Sequence, residues 1–174
     1  MKLKKMRRII IYYSKTGFTA RYAKWLQEDL GCFCVPWEEA RKKPLDQYDQ
    51  VIFASWIHAG KIQKLSWLMS QGLGGEKAIV LVTGAAPKES PETEKTIAAN
   101  FGEKRSDYAV FYLQSGLDYG RMSLGDRWMM KAFCKMLEGK KDKSPSEQEM
   151  AERVRGSFDC SERAYLQPVL DYIG

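Results

Sequence analysis

Histidine occurs once in these 174 residues, as His58, and cysteine four times, as Cys32, Cys34, Cys134 and Cys160, with no Cys-x-x-Cys pair. A structural zinc site therefore lacks its usual ligand set, and no metal is expected. Long apolar runs are missing too. The longest, such as Ile9–Tyr13 and Ala78–Val82, fall far short of the roughly 20 residues that a membrane-spanning helix needs. The basic N-terminal residues Lys2, Lys4, Lys5, Arg7 and Arg8 are followed by no extended apolar segment, so no secretory signal is read there. Cys32 and Cys34 sit two apart, which in a strand puts both on one face, as buried free thiols. Reduced thiols imply a cytoplasmic protein. No internal repeat or linker interrupts the chain, and its length suits one domain over residues 1–174.

What the chain does have is positive charge, a net +6 concentrated at the N-terminus and around Lys131–Lys143. Such a balance favours anionic partners: phosphates, acidic proteins or a lipid surface. Either cluster is also explained as a solvated face. The cations are not interleaved with aromatics in a recognisable module, which argues against nucleic acid.

Strand and helix patterns alternate. Arg8–Tyr13 is a β-branched, aromatic run and reads as a buried strand. Thr19–Leu30 places Ala20, Ala23, Leu26 and Leu30 on one helical face, and Gly31 closes it. Further strands are expected at Cys32–Val35, Tyr48–Ser55, Lys77–Thr83 and Tyr108–Gln114. Helices are expected at Lys61–Gln71, from Pro91 to Phe101 with Ser90 as cap, from Leu124 to Glu138, after Ser144-Pro145, and over Ser161–Ile173, where Pro168 kinks or shortens the helix. Ser123-Leu124-Gly125-Asp126 reads as a capping box with Asp in the Glu position. Alternation of this kind predicts a parallel sheet covered on both faces, a three-layer α/β sandwich. Ligands of such sheets sit beyond the carboxyl ends of the strands, where strand order reverses.

Three of those loops carry chemistry. After the first strand comes Ser14-Lys15-Thr16-Gly17-Phe18-Thr19, with hydroxyl donors, a glycine that permits close backbone approach, and a helix N-terminus behind it. These are the parts of a phosphate cradle. The stretch is neither a Walker A loop nor Gly-x-Gly-x-x-Gly. After the third strand, Ser55-Trp56-Ile57-His58-Ala59-Gly60 offers flat aromatic area and a tight turn. After the fourth, Thr83-Gly84-Ala85-Ala86-Pro87 leaves room for a planar group beside free amides. Each has a plain alternative: a capped turn, a packed tryptophan with a surface histidine, and a connecting loop.

Ser14–Thr19 matches the flavodoxin phosphate-loop pattern Ser/Thr-x-Thr-Gly-x-Thr at every defined position. "YDQVIFASWIHAGK", "SGLDYGRMSLGDRWMMK" and "RGSFD" extend the likeness over nearly the whole chain. The sequence resembles the flavodoxin-domain family, and within it the menaquinone-dependent protoporphyrinogen oxidases. The resemblance implies a five-stranded sheet in the order 2-1-3-4-5 and noncovalent flavin mononucleotide (FMN). Phosphate would sit on Ser14–Thr19. The ring would lie between the Ser55–Gly60 and Thr83–Pro87 loops, held by Thr83, Gly84, Ala85 and Ala86 of the second, with the Ala59-Gly60 peptide near the flavin N5. It further implies oxidation of protoporphyrinogen with a quinone acceptor.

Electron-carrier flavodoxins are strongly acidic, whereas this chain is basic, which favours an enzyme over a carrier that shuttles electrons between redox proteins. A module that binds a phosphate ligand or a protein without redox chemistry is the third alternative. Leu124–Leu137 mixes Trp128, Met129, Met130, Phe133, Met136 and Leu137 with Arg127, Lys131 and Lys135. That composition suits a helix lying on the inner face of a membrane or facing substrate, and equally one packed on the sheet or at a homodimer contact. No catalytic acid or base is assigned; His58 is a lone loop histidine.

Overall fold

A computed structural model describes residues 6–174, apart from the side chain of Ser146. Lys2, Lys4 and Lys5 lie outside the described residues. The elements run β1 (Arg8–Tyr12), α1 (Phe18–Leu30), β2 (Phe33–Pro36), α2 (Trp37–Ala40), β3 (Gln50–His58), β4 (Lys61–Ile62), α3 (Leu65–Ser70), β5 (Gly75–Gly84) and α4 (Pro91–Phe101). A 3-10 turn at Gly102–Asp107 leads to β6 (Tyr108–Gln114), β7 (Gly116–Leu117), α5 (Leu124–Gly139), α6 (Pro145–Arg153) and β8 (Phe158–Asp159). A second 3-10 turn, Arg163–Leu166, leads to α7 (Gln167–Ile173).

The main sheet has the order β2-β1-β3-β5-β6, with all of these pairings parallel. These five parallel strands follow the expected 2-1-3-4-5 order, and a sixth, β4, pairs antiparallel with the end of β3. The order reverses between β1 and β3, so a crevice opens beyond their carboxyl ends. Side chains alternate across the pleat. Ile9, Ile11, Val51, Phe53, Val80 and Val82 face one buried cluster, which Ala40, Leu65, Leu68, Ile97 and Phe101 complete from α2, α3 and α4. Ile10, Ile52, Ala54, Ile79, Leu81 and Leu113 face the other, against Tyr22, Ala23 and Leu26 of α1 and against Leu166 and Val169. Cys32 and Cys34 pack together against this second cluster. Burial pushes both thiols up, Cys34 to about 11.

A third, small cluster stands apart from the sheet. Leu137 of α5, Ala151 of α6 and Val154 bury one another, with Phe133, Cys134 and Met150 alongside. α5 therefore packs on α6 rather than flat on the sheet. Both helices start as their sequences predict. Ser123 Oγ accepts from Asp126 N at 3.2 Å, and Ser144 with Glu147 forms a full capping box.

Four expectations need correction. The segment Ser55–His58 is strand, not loop, because β3 continues alongside β5 to Trp56 and then pairs with β4 through Ile57 and His58. For the same reason Lys61–Gln71 is not one helix: Lys61 and Ile62 are β4, and the helix is only Leu65–Ser70. Ser90 does not cap α4 through its side chain; its hydroxyl goes to the Glu92 carboxylate at 2.6 Å. The C-terminal helix begins at Gln167 rather than Ser161, so of the two effects expected near Pro168 the shortening holds and the kink does not: Pro168 lies in the first turn, where a missing N–H costs nothing. The β7–β8 pair has no counterpart in the sequence pattern. It depends on Gly116, where a Cβ would fall 2.0 Å from the Phe158 carbonyl oxygen.

Candidate functional site

The loop from β1 into α1 has an open helix start. Gly17 holds the N-cap position with φ +99°, no side chain caps α1, and its first turn holds no acidic residue. The first-turn N–H groups therefore face the loop with their partial positive charge uncompensated. Ser14 Oγ is buried and has no hydrogen-bond partner among the described residues. Thr19 Oγ1 lies 2.8 Å from Thr83 Oγ1, both nearly inaccessible, so the first loop is tied to the end of β5.

Two side chains from the segment after β6 close over this loop. Arg121 Nη1 donates to the Thr16 carbonyl at 3.1 Å and stands 2.6 Å from where a Gly17 Cβ would be. Asp126, at the start of α5, accepts from Lys15 Nζ at 2.5 Å, bonds Ser123 Oγ at 2.7 Å and lies 2.8 Å from His58 Nε2. The Lys15 bond first, then Ser123, with His58 adding, holds the Asp126 carboxyl well below the usual carboxylate range.

On the opposite side, the half-buried Trp56 meets the His58 ring edge-on at 5.1 Å, and its Nε1 is buried without a partner among the described residues. Ala59 and Gly60 both have positive φ, 47° and 74°, and form the two-residue turn between β3 and β4. Asn100 of α4 pins this hairpin, accepting from Ile62 N at 2.9 Å and donating to Gly60 O at 2.8 Å. In the third loop the Ala86 carbonyl is turned to Tyr112 Oη at 2.8 Å.

The three loops enclose a cavity of 140 Å³ that Lys15, Thr16, Phe18 and Thr19 line from below, Trp56 to Ala59 and Thr83 to Ala85 from the sides. Asp126, Met129 and Met130 of α5 roof it. A second cavity, of 420 Å³, continues beyond Gly60, Ala85 and Ala86 under Phe133, Met136 and Leu137. The structure thus gathers most of the expected residues around one cleft. Ser55 is turned away: its hydroxyl is buried and donates to Gln63 O at 2.6 Å. Arg121 and Asp126 were not among the residues expected here, whereas Met129 and Met130 lie on the helix for which facing substrate was one expectation. Arg121 and Asp126 lie 105 and 111 residues from their partners in the first loop, and neither the capping pattern at Ser123–Asp126 nor the family-like stretch around it says which loop they would meet.

A doubly wound parallel sheet with an uncapped helix start at the point where strand order reverses defines the class of open α/β proteins whose ligands sit in that crevice. The chain belongs to the flavodoxin domain family, which residues 9–144 match. A flavin is the cofactor this membership implies. Solved structures with a similar fold include a flavodoxin from the domain Archaea, at 14% identity and TM-score 0.46, covering 86% of this chain and 99% of that one. An NAD(P)H:quinone oxidoreductase from Methanothermobacter marburgensis is 12% identical with TM-score 0.43, over 81% of this chain and 100% of its own. A provisionally assigned flavoprotein from Bacteroides uniformis ATCC 8492 is 18% identical with TM-score 0.46, over 64% and 92%. These likenesses are shallow, and the assignment rests on the family match. No curated protein matches the chain.

Proposed function

We propose that the chain binds FMN noncovalently and works as an FMN-dependent oxidoreductase. The observation that carries this reading is that two of the buried donors without partners among the described residues, Ser14 Oγ in the first loop and Trp56 Nε1 on the cavity wall, belong to the segments expected to hold the cofactor. An unmade buried hydrogen bond costs about 1–3 kcal/mol, a cost tolerated where a ligand supplies the acceptor. Ser14, Thr16 and the first-turn amides behind Gly17 would hold the phosphate, with Lys15, Phe18, Thr19 and Arg121 around it. Trp56, Ile57, His58 and the Ala59-Gly60 turn would flank the ring on one side, and Thr83, Gly84, Ala85 and Ala86 on the other. When bound, FMN supplies reversible one- and two-electron chemistry, and the chain orients it and excludes water.

The specific form of the reading is oxidation of protoporphyrinogen IX with a quinone acceptor. It draws support from the resemblance of the segment after β6 and from the net charge of +6, which suits a carboxylate-bearing donor better than a carrier docking on basic proteins. Leu124, Trp128 and Met136 are 76%, 75% and 61% exposed on α5, beside Lys131 and Lys135, and support contact with an anionic membrane surface. No helix among the described residues is long and apolar enough to cross a membrane.

Titration of the purified chain with FMN and with riboflavin, followed by flavin fluorescence, tests the cofactor. FMN should be quenched and bind more tightly than riboflavin; no quenching by either ends the reading. Steady-state oxidation of protoporphyrinogen IX with a naphthoquinone then tests the reaction. A chain that binds FMN, leaves protoporphyrinogen unoxidised and reduces a cytochrome instead is an electron carrier.

A further inference from the structure

The single histidine of the chain stands where the loops of the cleft meet. His58 ends β3 and lines the 140 Å³ part of the cleft, which shares Ile57, Gly84 and Ala85 with the larger part. Its side chain keeps 34% of its surface exposed, so it can exchange a proton with water. Trp56 meets its ring edge-on at 5.1 Å, and Asp126 lies 2.8 Å from its Nε2.

The Asp126 contact fixes which nitrogen carries the hydrogen. Lys15 first, then Ser123, hold Asp126 well below the usual carboxylate range, so it is ionised at neutral pH and can only accept. His58 must therefore donate through Nε2. Nδ1, which has no hydrogen-bond partner among the described residues, is left as the atom that gains or loses a proton. The charged groups around the ring are few. Asp126 comes from the start of α5, with Lys15 of the first loop paired to it at 2.5 Å. Lys61 is the exposed partner of His58 across the β3–β4 hairpin, and Arg127, next along α5, is turned to Gly120 O at 3.3 Å. Lys15 and Asp126 offset each other, so a proton on Nδ1 decides whether this corner of the cleft is positive.

We propose that His58 is the proton-exchanging residue of the ring site and that Asp126 is its positioning residue. This role rests on the flavin reading. Two-electron reduction of FMN with one proton taken up at the ring adds one negative charge to the cleft, the electrons coming from the reducing substrate. His58 Nδ1 balances that charge by taking a proton from water. A nearby anion stabilises the imidazolium, and by linkage the imidazolium favours the reduced state to the same extent. Asp126 keeps Nε2 engaged, which holds the tautomer and the ring orientation while Nδ1 changes state.

Because the chain has one histidine, an untagged chain with 13C-labelled imidazole gives a single Cε1 signal that needs no assignment. Its pH titration is followed without flavin, with FMN, and with FMN reduced anaerobically by dithionite. The midpoint should rise by about one pH unit when the FMN form is reduced, the effect of one charge close by. In Asp126→Asn it should lie about one unit lower than in the native chain in each form, since the imidazolium loses its carboxylate. The potential of bound FMN should fall more steeply with pH between the oxidised and reduced midpoints than outside them, because one extra proton is taken up there. An unchanged midpoint on reduction, with FMN bound as judged by fluorescence quenching, overturns the role of His58 and leaves the flavin reading standing. An equal rise when dithionite is added to the flavin-free chain also overturns it. Equal midpoints in the native chain and Asp126→Asn remove Asp126 from the role. Absence of FMN quenching ends the flavin reading, and this role with it.

Discussion

Lys15 Nζ lies 2.5 Å from Asp126 Oδ2, joining the first loop of the sheet to the helix that roofs the cleft. The pair neutralises the one lysine of the phosphate loop and places a carboxylate beside it. Asp126→Asn should free that charge for an anionic ligand. FMN binding is expected to tighten about two- to fivefold, within the range of a partly exposed ion pair, with riboflavin unchanged. Fluorescence titration of both flavins at low and high salt checks this.

The same carboxylate predicts the response to acid. Its folded value is depressed, so its contribution is present above the unfolded value, near 4, and is lost as pH falls through the folded one. The stability difference between the native chain and Asp126→Asn should persist at neutral pH and fade below about pH 4. Urea unfolding at a series of pH values measures it.

Ser14 separates stability from binding. Its buried hydroxyl has no partner among the described residues, so Ser14→Ala should leave the flavin-free chain as stable or slightly more so. FMN affinity should fall about tenfold, with riboflavin affinity spared. Thermal unfolding without flavin, paired with the two titrations, reads both effects.

Gly17→Ala should destabilise by about 1–2 kcal/mol, because φ +99° suits a residue without a Cβ. The new methyl must also push Arg121 from its place 2.6 Å away. Urea midpoints of Gly17→Ala in the native and Arg121→Ala backgrounds distinguish the two causes, since removing the guanidinium abolishes only the second.

Tyr22, wholly buried in α1, donates to Gln114 O at 2.5 Å and accepts from Glu162 N at 3.1 Å, pinning α1 to the end of β6 and to the C-terminal segment. Tyr22→Phe should cost about 1–3 kcal/mol by leaving those groups unpaired. Burial pushes the phenol up to about 12. Because that value is raised, the contribution is complete below the unfolded value near 10 and disappears as pH rises through 12. Denaturant midpoints of both chains at neutral and alkaline pH follow it.

Much of this architecture was open to a reading of the chain. The strand at Ile9–Ile11 and the cradle Ser14–Thr19 are local: apolar alternation and the hydroxyl–glycine pattern need no distant partner. The third strand was placed correctly and ended too early, since its last residues are held by β4 rather than by their own preference. His58 looked like a loop histidine because nothing near it in sequence announces Asp126.

The division follows from how far each interaction reaches. Periodicity, capping residues and the glycine at the first turn operate within a few residues, so they specify most strands and helices, their alternation and a hydroxyl-rich first loop without further information; the strand order came only with the family resemblance. The roof over the cleft is a different matter. α5 stands there because Leu137 buries itself against Ala151 and Val154, and that packing carries Arg121 and Asp126 onto a loop more than a hundred residues away. Contacts between segments so distant depend on which faces remain to be buried once the sheet has formed. The ion pair at Lys15, the cavities beside it and the unpartnered donors Ser14 Oγ and Trp56 Nε1 therefore exist only in the assembled fold.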